Sequence, residues 1–338
     1  MIPHNLPTID QEEEDAALRV LRSKQLSQDA EVELFENEFC DYLGLPHGSA
    51  VALSNGTSSL FMALKILNAK GKKILFPGYV CSALRHAVAM ADGIENTVDV
   101  EPNSPNLNMS IIKQNLPDIS IIPHMYGIPI QIDADDTLVI EDCCQALGAK
   151  VKNQMVGLFG DVAIFSFYAT KLMTSGGQGG MFVSKNQEYV DAVRDYREFD
   201  LRNDSKKRFN FKMTDLQAAI GRVQLKKLPY FLKRREEIFQ YYKKSGLDLL
   251  DIDDELRGIL EPVRYRAILK TKNPRKLVNS LESVGVQSII PTEDWELLGQ
   301  REFLPNALKF SHETISIPIY PSLTKEHLDI ILSGLVIK

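Results

Sequence analysis

Between residues 49 and 184 the chain alternates between two hydrophobic rhythms, and this alternation restricts the fold more than any other feature. Short β-rich runs occur at 49–53, 73–77, 96–100, 119–123, 138–141, 161–165 and 180–184, several of them almost continuously apolar. A strand with no polar side is covered on both faces, so these runs predict a sheet enclosed between two layers. In the early intervals the period changes. Leu60, Phe61, Ala63, Leu64, Ile66 and Leu67, and then Ala83, Ala87, Val88 and Met90, recur at helical spacing. Strand, helix, strand at such spacing demands parallel crossovers. The expected fold class is therefore α/β, a large domain with a mostly parallel seven-stranded sheet flanked by helices.

The flanks of this region read differently. The first 46 residues are mostly helical, with Leu18, Val20, Leu21, Val32, Leu34, Phe35, Phe39 and Tyr42 near the 3.6 period among acidic residues. After Ser184 a charged helical stretch runs from Thr214 to about Lys244, with a break expected near Pro229. The last third offers strands near 264–270 and 314–318 and helices near 276–284 and 325–335, a pattern suited to a small α+β domain. The expected division is 1–228, the N-terminal segment and large domain, and 229–338, the small C-terminal domain.

Composition serves mainly to exclude. A length of 338 residues suits about two domains. With 39 Lys+Arg against 45 Asp+Glu, the net charge of −6 argues against nucleic acid or an anionic membrane as a partner. No apolar run reaches the ~18 residues a membrane span needs. The N-terminus has no basic and apolar leader pattern, so cytoplasmic residence is expected. The four cysteines, Cys40, Cys81, Cys143 and Cys144, form no disulfide framework and no zinc spacing, and no metal is expected.

Three segments can carry chemistry. In Leu-Ser-Asn-Gly-Thr-Ser-Ser-Leu at 53–60 a strand gives way to a helix. The N–H groups of Gly56, Thr57 and Ser58 would face an anion such as phosphate, unless the segment is only an ordinary helix cap. In 138–148, Asp142 ends a buried strand, where it can hold a cationic nitrogen or cap a following helix. In 161–180 a strand leads to Ser166, Lys171 and glycines at 176, 177, 179 and 180. A lysine there is either a surface charge or, if held in a site, an amine able to form a Schiff base with a carbonyl.

Taken in order, these segments resemble the DegT/DnrJ/EryC1/StrS family of sugar aminotransferases, pyridoxal-phosphate enzymes of fold type I. The resemblance runs from Ile-Pro-His-Asn-Leu-Pro-Thr at 2–8 through Asn55-Gly-Thr57, His124-Met-Tyr-Gly127, Glu141-Asp142, Gln145-Ala-Leu-Gly148 and Ser166-Phe167 to Lys171 and Gly179-Gly180. It continues at Asn210-Phe-Lys-Met213 and Gln217-Ala-Ala-Ile-Gly221 and ends at Pro318-Ile-Tyr-Pro321. It implies that Lys171 forms the Schiff base with pyridoxal 5'-phosphate and moves the proton, and that Asp142 sits on the pyridine nitrogen. It further implies that Gln145 lies near the phenolic oxygen, that Gly56, Thr57 and Ser166 form the phosphate cup, and that Asn210 reaches the phosphate of the partner subunit in a homodimer with shared active sites. The implied reaction passes an amino group from an L-amino acid, most simply glutamate, to a nucleotide-linked keto-sugar in amino-sugar biosynthesis.

Some positions depart from the family. Cys81 stands where an aromatic residue usually stacks on the cofactor ring, and Tyr79 could stack instead. Gln178 replaces a frequent glutamate, and Ile289-Ile-Pro-Thr-Glu-Asp-Trp295 stands where many members place basic residues near the sugar. His124 fits a family motif, but a histidine at a strand end is more often scaffolding. Two other readings stay open: a different fold type I enzyme, a lyase or a desulfurase using one of the cysteines, and a non-catalytic relative that only binds a ligand.

Overall fold

A computed structural model describes residues 1–133 and 136–335. Two helices open it, α1 (Gln11–Ser23) and α2 (Ala30–Leu43). Asp10 starts α1 with a capping box shared with Glu13, satisfying N–H groups that the first turn leaves unpaired. The alternation read from the sequence follows as β1 (Ala50–Leu53), α3 (Gly56–Ile66), β2 (Lys73–Pro77), α4 (Ala83–Met90), β3 (Ile94–Val98), α5 (Met109–Asn115), β4 (Ile119–Pro123) and β5 (Leu138–Asp142). A short hairpin, β6 (Lys150–Val151) and β7 (Gln154–Met155), precedes β8 (Val162–Ser166) and β9 (Gly180–Val183).

The seven expected strands form one sheet in the order β1-β9-β8-β5-β4-β2-β3. β9 is antiparallel to both its neighbours, and every other pair is parallel. The mostly parallel α/β architecture of fold type I is thus present, with the carboxyl ends of β1, β2, β4, β5 and β8 along one edge. β1, β4 and β9 are buried at every residue, as continuously apolar strands require. β3 begins two residues earlier than its apolar run suggests. Asp99 and Val100 leave this edge strand to meet the chain near residue 306, where Asp99 accepts the N–H groups of Asn306 and Ala307 at 2.8 and 2.9 Å.

Beyond the sheet come α6 (Gln187–Arg197), α7 (Asp215–Lys244), β10 (Leu260–Glu261), β11 (Ala267–Lys270), α8 (Pro274–Ser283), α9 (Pro305–Glu313), β12 (Thr314–Ile317) and α10 (Lys325–Leu335). The break expected at Pro229 is absent, and the 30-residue helix α7 runs through it. A proline removes one intrahelical hydrogen bond, but packing fixes the helix on both sides of it. Leu225 and Leu228 sit in the large core around the sheet, and Ile238, Phe239 and Tyr242 sit in a second core with β11, β12, α8 and α10. Ile2 belongs to this second core and pairs with Val286, so the N-terminus runs beside the C-terminal elements. No helix among the described residues is long and apolar enough to cross a membrane.

Candidate active site

At the carboxyl edge of the sheet lies a cavity of about 730 Å³, lined by Gly56, Thr57, Ser58, Cys81, Asp142, Gln145, Ser166 and Lys171 among others. Eight of the nine residues singled out from the sequence therefore meet in one space; the ninth is Asn210. β1 ends at Leu53, and Asn55 caps α3 through a reciprocal capping box with Ser58. The Ser58 N–H donates to Asn55 Oδ1 at 2.8 Å and the Ser58 hydroxyl to the Asn55 carbonyl at 2.7 Å. Ser58 thus serves the cap, and the first-turn N–H groups of Gly56 and Thr57 are the ones left for an anion. Gly56 is required here, because a Cβ on it would stand 2.8 Å from Ser166 Cβ.

The glycine turn closes the same corner. A Cβ on Gly180 would stand 2.4 Å from the Asn55 carbonyl, so the bare backbone of β9 lets the sheet approach the start of α3. Around the lysine, Phe167 N–H donates to the Gly179 carbonyl, Ser175 N–H to the Phe167 carbonyl and Lys171 N–H to the Tyr168 carbonyl. Asn5 Nδ2 ties the N-terminal segment to the Thr170 carbonyl at 3.0 Å.

Neighbouring residues of β5 project to opposite faces, and this separates two carboxylates. Asp142 lines the cavity, and its Oδ1 accepts the Cys144 N–H at 3.0 Å. Turns rather than a helix follow it, so the helix-cap reading of Asp142 fails. Glu141 is fully buried and accepts the N–H groups of Gly157, Phe159 and Gly160. His124, also fully buried, accepts the Ile130 N–H at Nδ1, so its Nε2 carries the proton that faces Glu141 Oε2 at 3.2 Å. The histidine is scaffolding for the Glu141 carboxylate. Cys143 lies near this pair, but the Glu141 oxygens are already engaged by the main chain. Gln145 is held by the Tyr126 N–H, which reaches its Oε1 at 2.8 Å from a residue at positive φ, 59°.

Lys171 Nζ makes no ion pair with any carboxylate among the described residues, and it lies 5.2 Å from the ring centroid of Tyr265. Burial alone would lower its proton affinity, but Tyr265, Cys144, Asp142 and Cys81 around it raise the pKa above the ordinary lysine value. The surface-charge reading of Lys171 fails with this placement. Cys81 follows a bend after β2 and is open to the cavity. Enclosure by the walls pushes its thiol up, and burial pushes Cys143 and Cys144 well up. Tyr79 cannot stack on a ligand: it is fully buried against Phe310 and Tyr126, with the Tyr126 hydroxyl 3.0 Å from its own.

Asn210 is exposed and lies outside the cavity of its own chain, while its neighbours Phe209 and Phe211 line it. Phe211 is set there by its carbonyl, which accepts the Ser54 N–H at 2.8 Å. Phe209 and Tyr265 carried no recognisable signal in sequence, being single aromatic residues outside any periodic pattern, and Phe211 was read only as part of the motif at 210–213.

A family model described as the DegT/DnrJ/EryC1/StrS aminotransferase family matches residues 7–336. The chain is 27% identical to the spore coat polysaccharide biosynthesis protein SpsC of Bacillus subtilis, over 98% of this chain and 96% of the other. It is 30% identical to the UDP-4-amino-4,6-dideoxy-N-acetyl-beta-L-altrosamine transaminase of Campylobacter jejuni, over 96% and 93%. Its fold matches that of the sugar aminotransferase CalS13 from Micromonospora echinospora with a TM-score of 0.87, 20% identity and 99% of both chains covered.

Proposed function

The chain belongs to the DegT/DnrJ/EryC1/StrS aminotransferase family, and from that premise we propose that it is a pyridoxal-phosphate-dependent transaminase of amino-sugar biosynthesis. The amino donor in this reading is an L-amino acid, glutamate first among them, and the acceptor is a keto-sugar carried on a nucleotide. The name of the Campylobacter jejuni relative, a transaminase of a UDP-linked amino sugar, supports the acceptor class. One observation carries the reading: a lysine with no ion-pair partner among the described residues, a strand-end carboxylate and a helix N-terminus share a single cavity.

The residues present fit the cofactor. The space kept open by Gly56 beside Ser166 suits a phosphate, which the N–H groups of Gly56 and Thr57 and the α3 dipole would meet. When bound, pyridoxal phosphate supplies a carbonyl carbon for the amino group and a ring nitrogen that withdraws electrons once protonated. Asp142 keeps a proton at that nitrogen; a carboxylate ~3 Å from a cationic nitrogen contributes about 5 kcal/mol at an effective dielectric of ~20, before desolvation. Gln145, fixed by Tyr126, offers its amide N–H₂ to the ring oxygen. Lys171 Nζ takes and returns the proton of the substrate. The phosphate cup would be completed by Asn210 of the partner subunit in a homodimer, which agrees with its position outside its own cavity. A desulfurase reading is weaker, because the cavity thiols are raised towards the neutral form, whereas that chemistry needs a thiolate on a mobile loop.

Absorbance of the purified protein with added pyridoxal phosphate tests this reading. A visible band that reductive trapping assigns to Lys171, and that is lost in Lys171→Ala, is the expected result. A wild-type protein that stays colourless would refute the cofactor assignment, and release of sulfide, ammonia or pyruvate from amino acids would point to a lyase.

A further inference from the structure

The partner that the fold gives Lys171 comes from the other end of the chain. Tyr265 lies between α7 and β11 and is buried, with its ring centroid 5.2 Å from Lys171 Nζ. Two contacts hold the segment in place. Gly127 has φ +86°, and a Cβ on it would stand 2.1 Å from the Val263 carbonyl oxygen, while the Val263 N–H donates to the Gly127 carbonyl at 3.0 Å. Arg235, fully buried and without a carboxylate partner among the described residues, donates through Nη1 to the carbonyls of Arg264, Tyr265 and Ile319 at 3.2, 3.2 and 2.6 Å. The backbone that carries the ring is therefore held from two sides.

A cation within about 6 Å of an aromatic face is attracted by the negative charge of that face, more strongly when both are removed from water. The groups facing Lys171 are Asp142, Cys81 and Cys144 from the cavity walls and Tyr265 from the C-terminal part. The guanidinium of Arg266, 5.3 Å from the same ring centroid, and that of Arg235 are the charges on Tyr265 itself.

We propose that Tyr265 is a positioning residue whose ring face holds the protonated Lys171 Nζ at the cavity wall and thereby sets the pH at which the amine is released. This rests on the reading above, in which Lys171 is the reactive amine. The ring belongs to the C-terminal half of the chain, so a shift of that half relative to the sheet would change the proton affinity of the lysine.

The test is the pH dependence of Lys171 acetylation in the full-length protein without cofactor, followed by peptide mass spectrometry. In Tyr265→Met, which fills the space without an aromatic face, the midpoint falls by about one pH unit, a tenfold rise in unprotonated amine at fixed pH. Tyr265→Phe keeps the face and titrates near the wild type. A Met variant that titrates like the wild type, or a Phe variant that shifts as far as Met, overturns the proposal. Should the Met variant not fold, phenylalanine and a trifluorinated phenylalanine at 265 have one shape and different ring charge; a lower midpoint for the fluorinated ring supports the proposal and coincident profiles overturn it. Pyridoxal phosphate binding is read separately by absorbance. A protein that binds it while the midpoints stay fixed loses only the role of Tyr265, and one whose midpoints move but that never binds it loses only the transaminase reading.

Discussion

Glu141 and Asp142 are adjacent carboxylates in one strand, and their surroundings assign them different work. Glu141 is held below the ordinary carboxylate range: burial opposes this, but hydrogen bonds from His124 and from the Gly157 and Gly160 main chain outweigh it. It is a staple between β5 and the turn before β8. Asp142 has one main-chain donor and faces open cavity, which leaves it available to a ligand. Asp142→Asn should still bind pyridoxal phosphate, seen as the visible band, while turnover falls on the order of a hundredfold, since each tenfold corresponds to about 1.4 kcal/mol. Near-normal turnover would remove its assigned role. Asp142 was legible in the sequence as the strand-end carboxylate, whereas the work of Glu141 was not, because its main-chain partners at 157–160 are known only from the fold.

At the scale of elements, the site is assembled by strand ends and by the N-terminal segment that clasps them. His4 Nε2 accepts from Ser316 Oγ at 2.8 Å and from Arg266 Nη1 at 3.2 Å, so the clasp needs a neutral imidazole. Burial, and then the neighbouring Arg266 and Arg235, lower its pKa from 6.5 to about 3. The sign follows from linkage. The unfolded or detached segment binds a proton more readily than the docked one, so docking is at full strength above pH 6.5 and weakens as pH falls from 6.5 to about 3. Hydrogen exchange at residues 2–8 should accelerate across that window in the wild type and show no such step in His4→Gln; a flat wild-type profile would exclude the clasp. The motif at 2–8 was legible as family resemblance, but its anchor points, Thr170 and Ser316, are far away in sequence and left no local pattern. The continuity of α7 through Pro229 was hidden for a related reason: propensity argues for a break, and packing against two cores overrides it.

For the whole molecule, the exposed Asn210 next to a cavity lined by Phe209 and Phe211 of the same chain bears on assembly. In the proposed shared-site homodimer, mixing inactive Lys171→Ala and Asn210→Ala protomers should restore activity above that of either parent, measured by glutamate consumption with a panel of nucleotide-linked keto-sugars. Mixed dimers that recover nothing would argue against a site completed by the partner. The division of labour between sequence and fold is clear at this scale. Almost continuously apolar runs at 119–123 and 180–183, alternating with helical periods, by themselves determined a sheet enclosed by helices, because a strand with no polar face has no stable place at a surface. Likewise the residue types at 55–57, 142, 166 and 171 were legible as a site through their ordered resemblance to the family, since each lies just beyond a strand end, where N–H groups, hydroxyls and charge are free to meet a ligand. What only the tertiary structure decided was which distant groups meet those residues: Ser166 against Gly56, Tyr126 on Gln145 and Tyr265 beneath Lys171. Such contacts depend on the close approach of backbones at Gly56, Gly127 and Gly180, and a glycine in a sequence does not say which neighbour it makes room for.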